Sequence, residues 1–208
     1  MNPTRIALLL IATAGLALLG CDRPQAECRQ ALAELDQLPF TPESRYQQRG
    51  ELYYECGDYL NAIAEFDRAI AVNPNFVVAY VGRARARLER NQLDLALADA
   101  NQAILIAANP PSHPGFNSTY LYYNLRGIIY QAQKNYQAAI ADFNQSIALN
   151  PGEPSQPNGD AYYNRALAHQ ALGNRDQARA DLNQAIADYC NGGPPYACQS
   201  ARDRLADL

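Results

Sequence analysis

The chain has 208 residues, of which 48% are hydrophobic and 18% charged, with five cysteines and a formal net charge of −4. This composition is that of a globular chain and excludes a disordered one. No long basic run is present, so the electrostatic footprint that nucleic acid requires is missing and nucleic acid is excluded as an expected partner.

The first element is Ile6 to Leu19, an uncharged run preceded by Arg5. A charged residue followed by a short apolar run is the layout of a secretion signal, and the run falls short of the ~20 residues a membrane-spanning helix needs. It ends in Leu18-Leu19-Gly20-Cys21-Asp22. The Leu-Leu-Gly-Cys segment resembles the lipobox of bacterial lipoproteins, in which the cysteine thiol receives a diacylglyceryl group, the preceding bond is cut and the new amino terminus is acylated. The resemblance implies a signal peptide over 1–20, lipid attachment at Cys21, and a body anchored outside the cytoplasm on the periplasmic side of a bacterial membrane. The alternative is an ordinary secreted protein in which Cys21 is one more disulfide partner. Against it stand the absence of an Ala-x-Ala-like cleavage site and the arithmetic of the cysteines. Once Cys21 is lipidated, Cys28, Cys56, Cys190 and Cys198 remain, and four can pair completely in an oxidising compartment.

Residues 21–42 are expected to hold a lipidated linker and a helix over Pro24 to Leu38. From there the chain repeats itself. Ala62-Ile63-Ala64-Glu65-Phe66-Asp67-Arg68-Ala69-Ile70 returns as Ala96 to Ile104, Ala139 to Ile147 and Ala178 to Ile186, four versions of one helix. Upstream of each lies an aromatic-led helix, from Tyr46 to Cys56, Tyr80 to Arg90, Tyr123 to Gln133 and Tyr162 to Leu172. The unit is therefore helix, turn, helix, and self-similarity of this kind marks a solenoid.

The pattern resembles the tetratricopeptide repeat (TPR). Tyr46, Gly50, Tyr53, Tyr59, Ala62, Phe66, Ala69 and Pro74 occupy its signature places in the first repeat, and Tyr123, Gly127, Tyr130, Tyr136, Ala139, Phe143 and Pro151 do so in the third. The second keeps Tyr80, Ala96 and Ala103 with Arg87 at an aromatic place; the fourth keeps Tyr162, Ala178 and Ala185 with His169 there. The resemblance implies an all-α, right-handed α-solenoid with four repeats over 43–194, at 43–76, 77–110, 120–153 and 159–192, closed by a capping helix over 195–208. Pro110 to Ser118 and Gly152 to Gly159 interrupt the stack as loops. Asn117-Ser118-Thr119 fits a glycosylation acceptor by chance alone in a bacterial lipoprotein.

Arg49 and Glu65, Arg83 and Asp99, Arg126 and Asp142, and Arg165 and Asp181 are each sixteen residues apart. Across an antiparallel helix pair this brings them side by side, and a partly buried arginine needs such a partner, so four ion pairs within repeats are expected rather than a row of ligand-binding cations. Arg85, Arg87 and Arg90 lack the repeated partner and read as a solvated face.

The four remaining cysteines allow three connectivities. A hairpin bending near Pro39 to Pro42 sets Cys28 opposite Cys56, and Asn191 to Pro195 turns the chain between Cys190 and Cys198, so these two pairs are expected. Four free thiols, acting as small buried apolar residues, are the alternative.

Catalytic and metal sites are not expected. His113 falls in the proline-rich insertion and His169 on a helix packing face as a satisfied core histidine, with no zinc-type spacing and no glycine-rich phosphate loop. No cofactor and no small-molecule substrate is implied. The family resemblance implies instead a groove lined by the first helix of each repeat and holding a peptide. Its positions here are Gln47, Glu51, Tyr54, Val81, Arg85, Leu88, Asn124, Ile128, Gln131, Tyr163, Leu167 and Gln170, which read equally as a solvated face. Gln47, Glu51 and Gly82 stand where some relatives place the Lys and Asn residues that clamp a chaperone's carboxyl terminus, which disfavours that ligand. The expected function is an envelope scaffold or adaptor that binds a protein or peptide partner. The alternative is an assembly factor for one membrane complex, acting through the convex face or the 110–118 insertion.

Overall fold

A computed structural model describes residues 25–108, 119–150, 158–191 and 194–208. The expected signal peptide, Cys21, His113, Asn117 and most of both proline-rich insertions lie outside the described residues. The described chain forms ten helices and no strand, in two compact units, the first reaching Pro74 and the second running from Asn75 to Leu208.

The first unit holds α1 (Gln25–Leu35), α2 (Pro42–Glu55) and α3 (Tyr59–Val72). Thr41 starts α2: its hydroxyl accepts from the Ser44 amide, and Pro42 has a pre-set φ at a position whose N–H would have no helical partner. Asp58 starts α3 by accepting from the Asn61 amide at 3.1 Å. Asn73, extended at φ −134° before Pro74, ends it. The second unit holds three further hairpins and a closing helix: α4 (Val77–Glu89) with α5 (Leu93–Ala108), α6 (Thr119–Ala132) with α7 (Tyr136–Leu149), α8 (Gly159–Ala171) with α9 (Arg175–Cys190), then α10 (Pro195–Ala206). Each helix of this unit packs on the next, and α4, α6 and α8, the first helices of their pairs, also pack on one another. This is the packing of an all-α, right-handed solenoid of helix-turn-helix repeats.

One device joins the helices of every pair. The turn residues Gly57, Asn91, Lys134 and Gly173 have φ of 74°, 56°, 61° and 78°. The left-handed region ends a helix and reverses the chain, at a cost when the residue is not glycine.

Small residues set the helix spacing. Ala62 and Ala69 in the first unit, and Ala96, Ala103, Ala139, Ala178 and Ala185 in the second, are fully buried at the helix contacts. Ser146 stands at the place of Ala69 and Ala103 in the third repeat. It is buried too, and its hydroxyl donates to the Tyr120 carbonyl at 2.8 Å. Phe66 and Phe143 are the largest fully buried side chains.

All four arginines sixteen residues before an acid reach it. Arg49 lies 3.4 Å from Glu65, Arg83 2.6 Å from Asp99 and Arg126 2.7 Å from Asp142, and Arg165 meets Asp181 through two bonds. In the second unit the guanidinium also rests over the tyrosine one turn back, 5.4 Å from Tyr80, 5.3 Å from Tyr123 and 5.4 Å from Tyr162 for Arg83, Arg126 and Arg165 in turn. The free corner of the fork ties successive repeats together: Arg126 Nη1 donates to Asn101 at 2.8 Å, and Arg165 Nη1 to Asn144 at 2.6 Å. Arg49 uses it on Asp36 at 2.8 Å instead, docking α2 to the end of α1. The hydrogen bond to Asp36 outweighs burial and holds the Arg49 guanidinium above its ordinary pKa; the bond to Asp142 does the same for Arg126.

Two expectations are corrected here. Arg87 is not part of a solvated face, because its Nη1 sits 2.7 Å from the Asp99 carboxylate already held by Arg83. With arginine at this aromatic place, Asp99 serves two cations. His169 is not a core residue but is only partly buried near the end of α8, its Nδ1 3.4 Å from the Asn174 amide nitrogen.

Candidate functional site

In the first unit Gln47, Glu51 and Tyr54 lie four and three residues apart on α2, a spacing that puts them on one helix face. All three are half-buried. Gln47 accepts from Gln48 at 3.0 Å, and the Tyr54 ring stands 5.4 Å from Tyr59.

In the second unit the same spacing recurs as Val81, Arg85 and Leu88 on α4, Asn124, Ile128 and Gln131 on α6, and Tyr163, Leu167 and Gln170 on α8. These helices lie side by side, so the nine positions share a face, but they do not share a role. Val81 and Leu88 pack against Ala84, Ala96, Ala100, Leu125 and Ile129, filling the space between α4 and α6. Ile128 packs against Ala139, Phe143 and Ala168. Much of the apolar part of this face therefore joins repeat to repeat. Arg85 is exposed, while Asn124, Gln131, Leu167 and Gln170 are half-buried. Asn124 accepts from Asn164 at 3.3 Å, which holds α6 to α8.

The face opens into a cleft where α8 meets α10. A lobe of about 500 Å³ is lined by Tyr163, Tyr196, Gln199, Ser200, Asp203, Arg204 and Asp207. An adjoining lobe of about 360 Å³ shares Tyr163, Tyr196 and Ser200 and adds Asp160, Tyr189, Pro194 and Ala197. Helix α10 is held in place by its other side, where Cys198 and Ala201 are buried against Ala185 and Tyr189 and Tyr163 packs on the same cluster. Cys190 and Cys198 are joined by a disulfide with a Cα–Cα distance of 5.2 Å, and Cys28 and Cys56 by another at 6.2 Å in the first unit. The Tyr189 hydroxyl donates to Asp160 at 2.7 Å at the cleft wall, and burial together with this bond pushes its pKa up, so it stays a donor.

Of the twelve sequence-derived groove positions only Tyr163 lines the cleft. Tyr196, Gln199, Ser200, Asp203, Arg204 and Asp207 lie on or at the end of α10, which the sequence marks only as a capping helix. Their spacing carried the signal nonetheless, since steps of three, one, three, one and three trace one stripe of a helix with an exposed aromatic at its head. Among the described residues no group of three or more His, Cys, Asp or Glu side chains is arranged to hold a metal ion, and no helix is long and apolar enough to cross a membrane.

Residues 48–114 and 118–191, more than half of the chain, match the family of the tetratricopeptide repeat. Among curated proteins, the small glutamine-rich tetratricopeptide repeat-containing protein 2 of Mycosarcoma maydis is 28% identical over 130 residues, covering 62% of this chain; the chain spans about a third (34%) of that protein's length. Among solved structures, MamA 41-end from Desulfovibrio magneticus RS-1 aligns over 82% of this chain and 90% of its own, with a TM-score of 0.61 at 16% identity. Cut9, in the Cut9–Hcn1 assembly of the APC/C, aligns over 87% of this chain and 33% of its own with a TM-score of 0.69 at 17% identity. The first TPR domain of Spaghetti (RPAP3), bound to the HSP90 peptide SRMEEVD, aligns over 64% of this chain and 94% of its own, with a TM-score of 0.54 at 21% identity. With the repeated helix pairs, the arginine–acid register and these matches in agreement, the chain belongs to the tetratricopeptide repeat family.

Proposed function

We propose that this chain is a membrane-anchored scaffold or adaptor of the bacterial cell envelope, whose repeats hold a protein or peptide partner outside the cytoplasm. One observation carries the binding half: the shared face of α4, α6 and α8 ends in an open cleft against α10, rimmed by tyrosines, amides and charged groups. Concavity with a few aromatic anchors and adaptable polar groups is what a peptide site requires. The repeat family binds proteins through such surfaces, as the neighbour bound to an HSP90 peptide illustrates. In this chain Gln47, Glu51 and Gly82 supply no cations at the clamp positions, so an acidic carboxyl-terminal tail is not the ligand in this reading.

The anchored, extracytoplasmic half rests on Leu-Leu-Gly-Cys21 and is supported by the disulfides Cys28–Cys56 and Cys190–Cys198, which persist in oxidising compartments. Three acyl chains at Cys21 would hold the protein firmly, each buried methylene adding about 0.8 kcal/mol. The chain acts without cofactor or small-molecule substrate in this reading.

Two measurements test the two halves separately. Intact mass of the membrane-fraction protein should show residues 1–20 removed and Cys21 acylated; an unmodified chain that retains Met1 refutes the anchor. Affinity capture from envelope extract with the wild type, an Arg85→Ala/Gln131→Ala/Gln170→Ala variant and a Tyr196→Ala variant tests the face and the cleft in which it ends. Loss of the captured partner in either variant supports the adaptor, and retention in both points to the assembly-factor alternative acting through the convex side or the 110–118 insertion.

A further inference from the structure

The two lobes between α8 and α10 have one chemical character. Tyr163 and Tyr196 are common to both, and Tyr196 is 64% exposed, the most exposed large hydrophobic side chain among the described residues. Around them stand three carboxylates, Asp160, Asp203 and Asp207, against one guanidinium, Arg204. Asp160 accepts from the Tyr189 hydroxyl and Asp203 from Gln199 Nε2, both at 2.7 Å, so both carboxylates are oriented by their neighbours. The Tyr163 hydroxyl lies 3.4 Å from Ser200 Oγ, which links the α8 wall to the α10 wall.

Tyrosine faces attract cations, and an excess of carboxylates at the rim of a concave site strengthens the preference and repels anions. We infer that the α8–α10 cleft binds a Lys- or Arg-bearing segment of the partner protein, with the cation seated between the Tyr163 and Tyr196 rings and the Asp203 and Asp207 carboxylates. The inference rests on the adaptor reading above and deepens it by giving the partner a charge. The aliphatic stem of the cation covers the tyrosine rings while its head reaches the carboxylates, a division of labour that a Glu- or Asp-bearing peptide cannot reproduce. The cleft is thus of opposite sign to a site for an acidic tail.

The test is selection of short random phage-displayed peptides on the full chain with its disulfides intact, followed by calorimetry of the winning synthetic peptide. Winners should carry Lys or Arg. Their affinity should fall about tenfold in Asp203→Asn/Asp207→Asn, in Tyr196→Ala and on raising the salt, and should survive Arg85→Ala. Asp203, Asp207 and Tyr196 are exposed, so these variants should keep the wild-type thermal midpoint, which is measured alongside. Acidic or uncharged winners, or a cationic winner that binds both cleft variants at full strength, overturn the inference. Winners that depend on Arg85 or Gln131 sink the inference and leave the adaptor reading standing, whereas no enrichment of any peptide counts against both.

Discussion

Gly127 and Phe143 oppose each other across α6 and α7 so closely that a β-carbon on Gly127 would lie 2.5 Å from Phe143 Cε1. Gly50 and Phe66 repeat the relationship in the first unit, at 2.7 Å. At the corresponding positions the second repeat has Ala84 with Ala100, and the fourth has Ala166 with Leu182, all four buried. A glycine faces the largest ring and an alanine faces a smaller side chain, so each pair fills its shared space once.

Gly127→Ala should therefore cost about 1–3 kcal/mol by overpacking, because the ring atom it meets is held in a fully buried side chain. Phe143→Ala should cost about 3–5 kcal/mol by opening a cavity. The double variant, which copies the Ala84–Ala100 pair, should be less unstable than the sum of the two single changes. Denaturant midpoints of the four proteins check this, and strict additivity would refute direct contact as the cause.

Arg126 is bonded to Asp142 twice at 2.7 Å and to Asn101 at 2.8 Å, and the Asp142 side chain is only 8% exposed. Arg126→Ala strands that carboxylate and cuts a tie between repeats. The loss should be about 2–3 kcal/mol, below the 3–5 of a fully buried pair because the arginine itself is partly solvated. Arg126→Lys should recover less than half of it, since an ammonium cannot make the planar fork. Thermal melts of both variants measure it; full recovery with lysine would show that charge alone suffices.

Reduction should weaken the two ends unequally. The loop-entropy account assigns about 3.5 kcal/mol to the 28-residue separation of Cys28–Cys56 and about 2.5 kcal/mol to the 8-residue separation of Cys190–Cys198. Hydrogen exchange before and after reduction should show the larger loss of protection in α1 and α2. Equal protection in the two redox states would mean that native packing alone orders these ends.

Acid should act through His169. Burial lowers its pKa, opposed by Asp181 and aided by Arg165. The folded state therefore resists protonation that the unfolded chain accepts near pH 6.5, so its share of stability is whole above that pH and declines as pH falls toward the lowered folded value. His169→Gln should flatten the stability profile across that interval while leaving the plateau at higher pH nearly unchanged. Profiles that stay superimposable below pH 6.5 would exclude the imidazole as the cause.

The sequence by itself determined what depends on separation along the chain. The hairpins, their small and aromatic contact residues, and the register of Arg126 with Asp142 all follow from helix periodicity within one repeat, where a short turn leaves a single antiparallel arrangement. Tertiary structure alone decided what depends on the crossing of one repeat over the next. It packed Val81 and Leu88 against Leu125 and Ile129, set Ile128 against Ala168, and carried Arg126 to Asn101. It also made a cleft of the Tyr196 stripe. A helix stripe is visible in any sequence, but its direction is set by what its opposite side buries, and here burial of Cys198 and Ala201 against Ala185 and Tyr189 turns Tyr196 toward Tyr163.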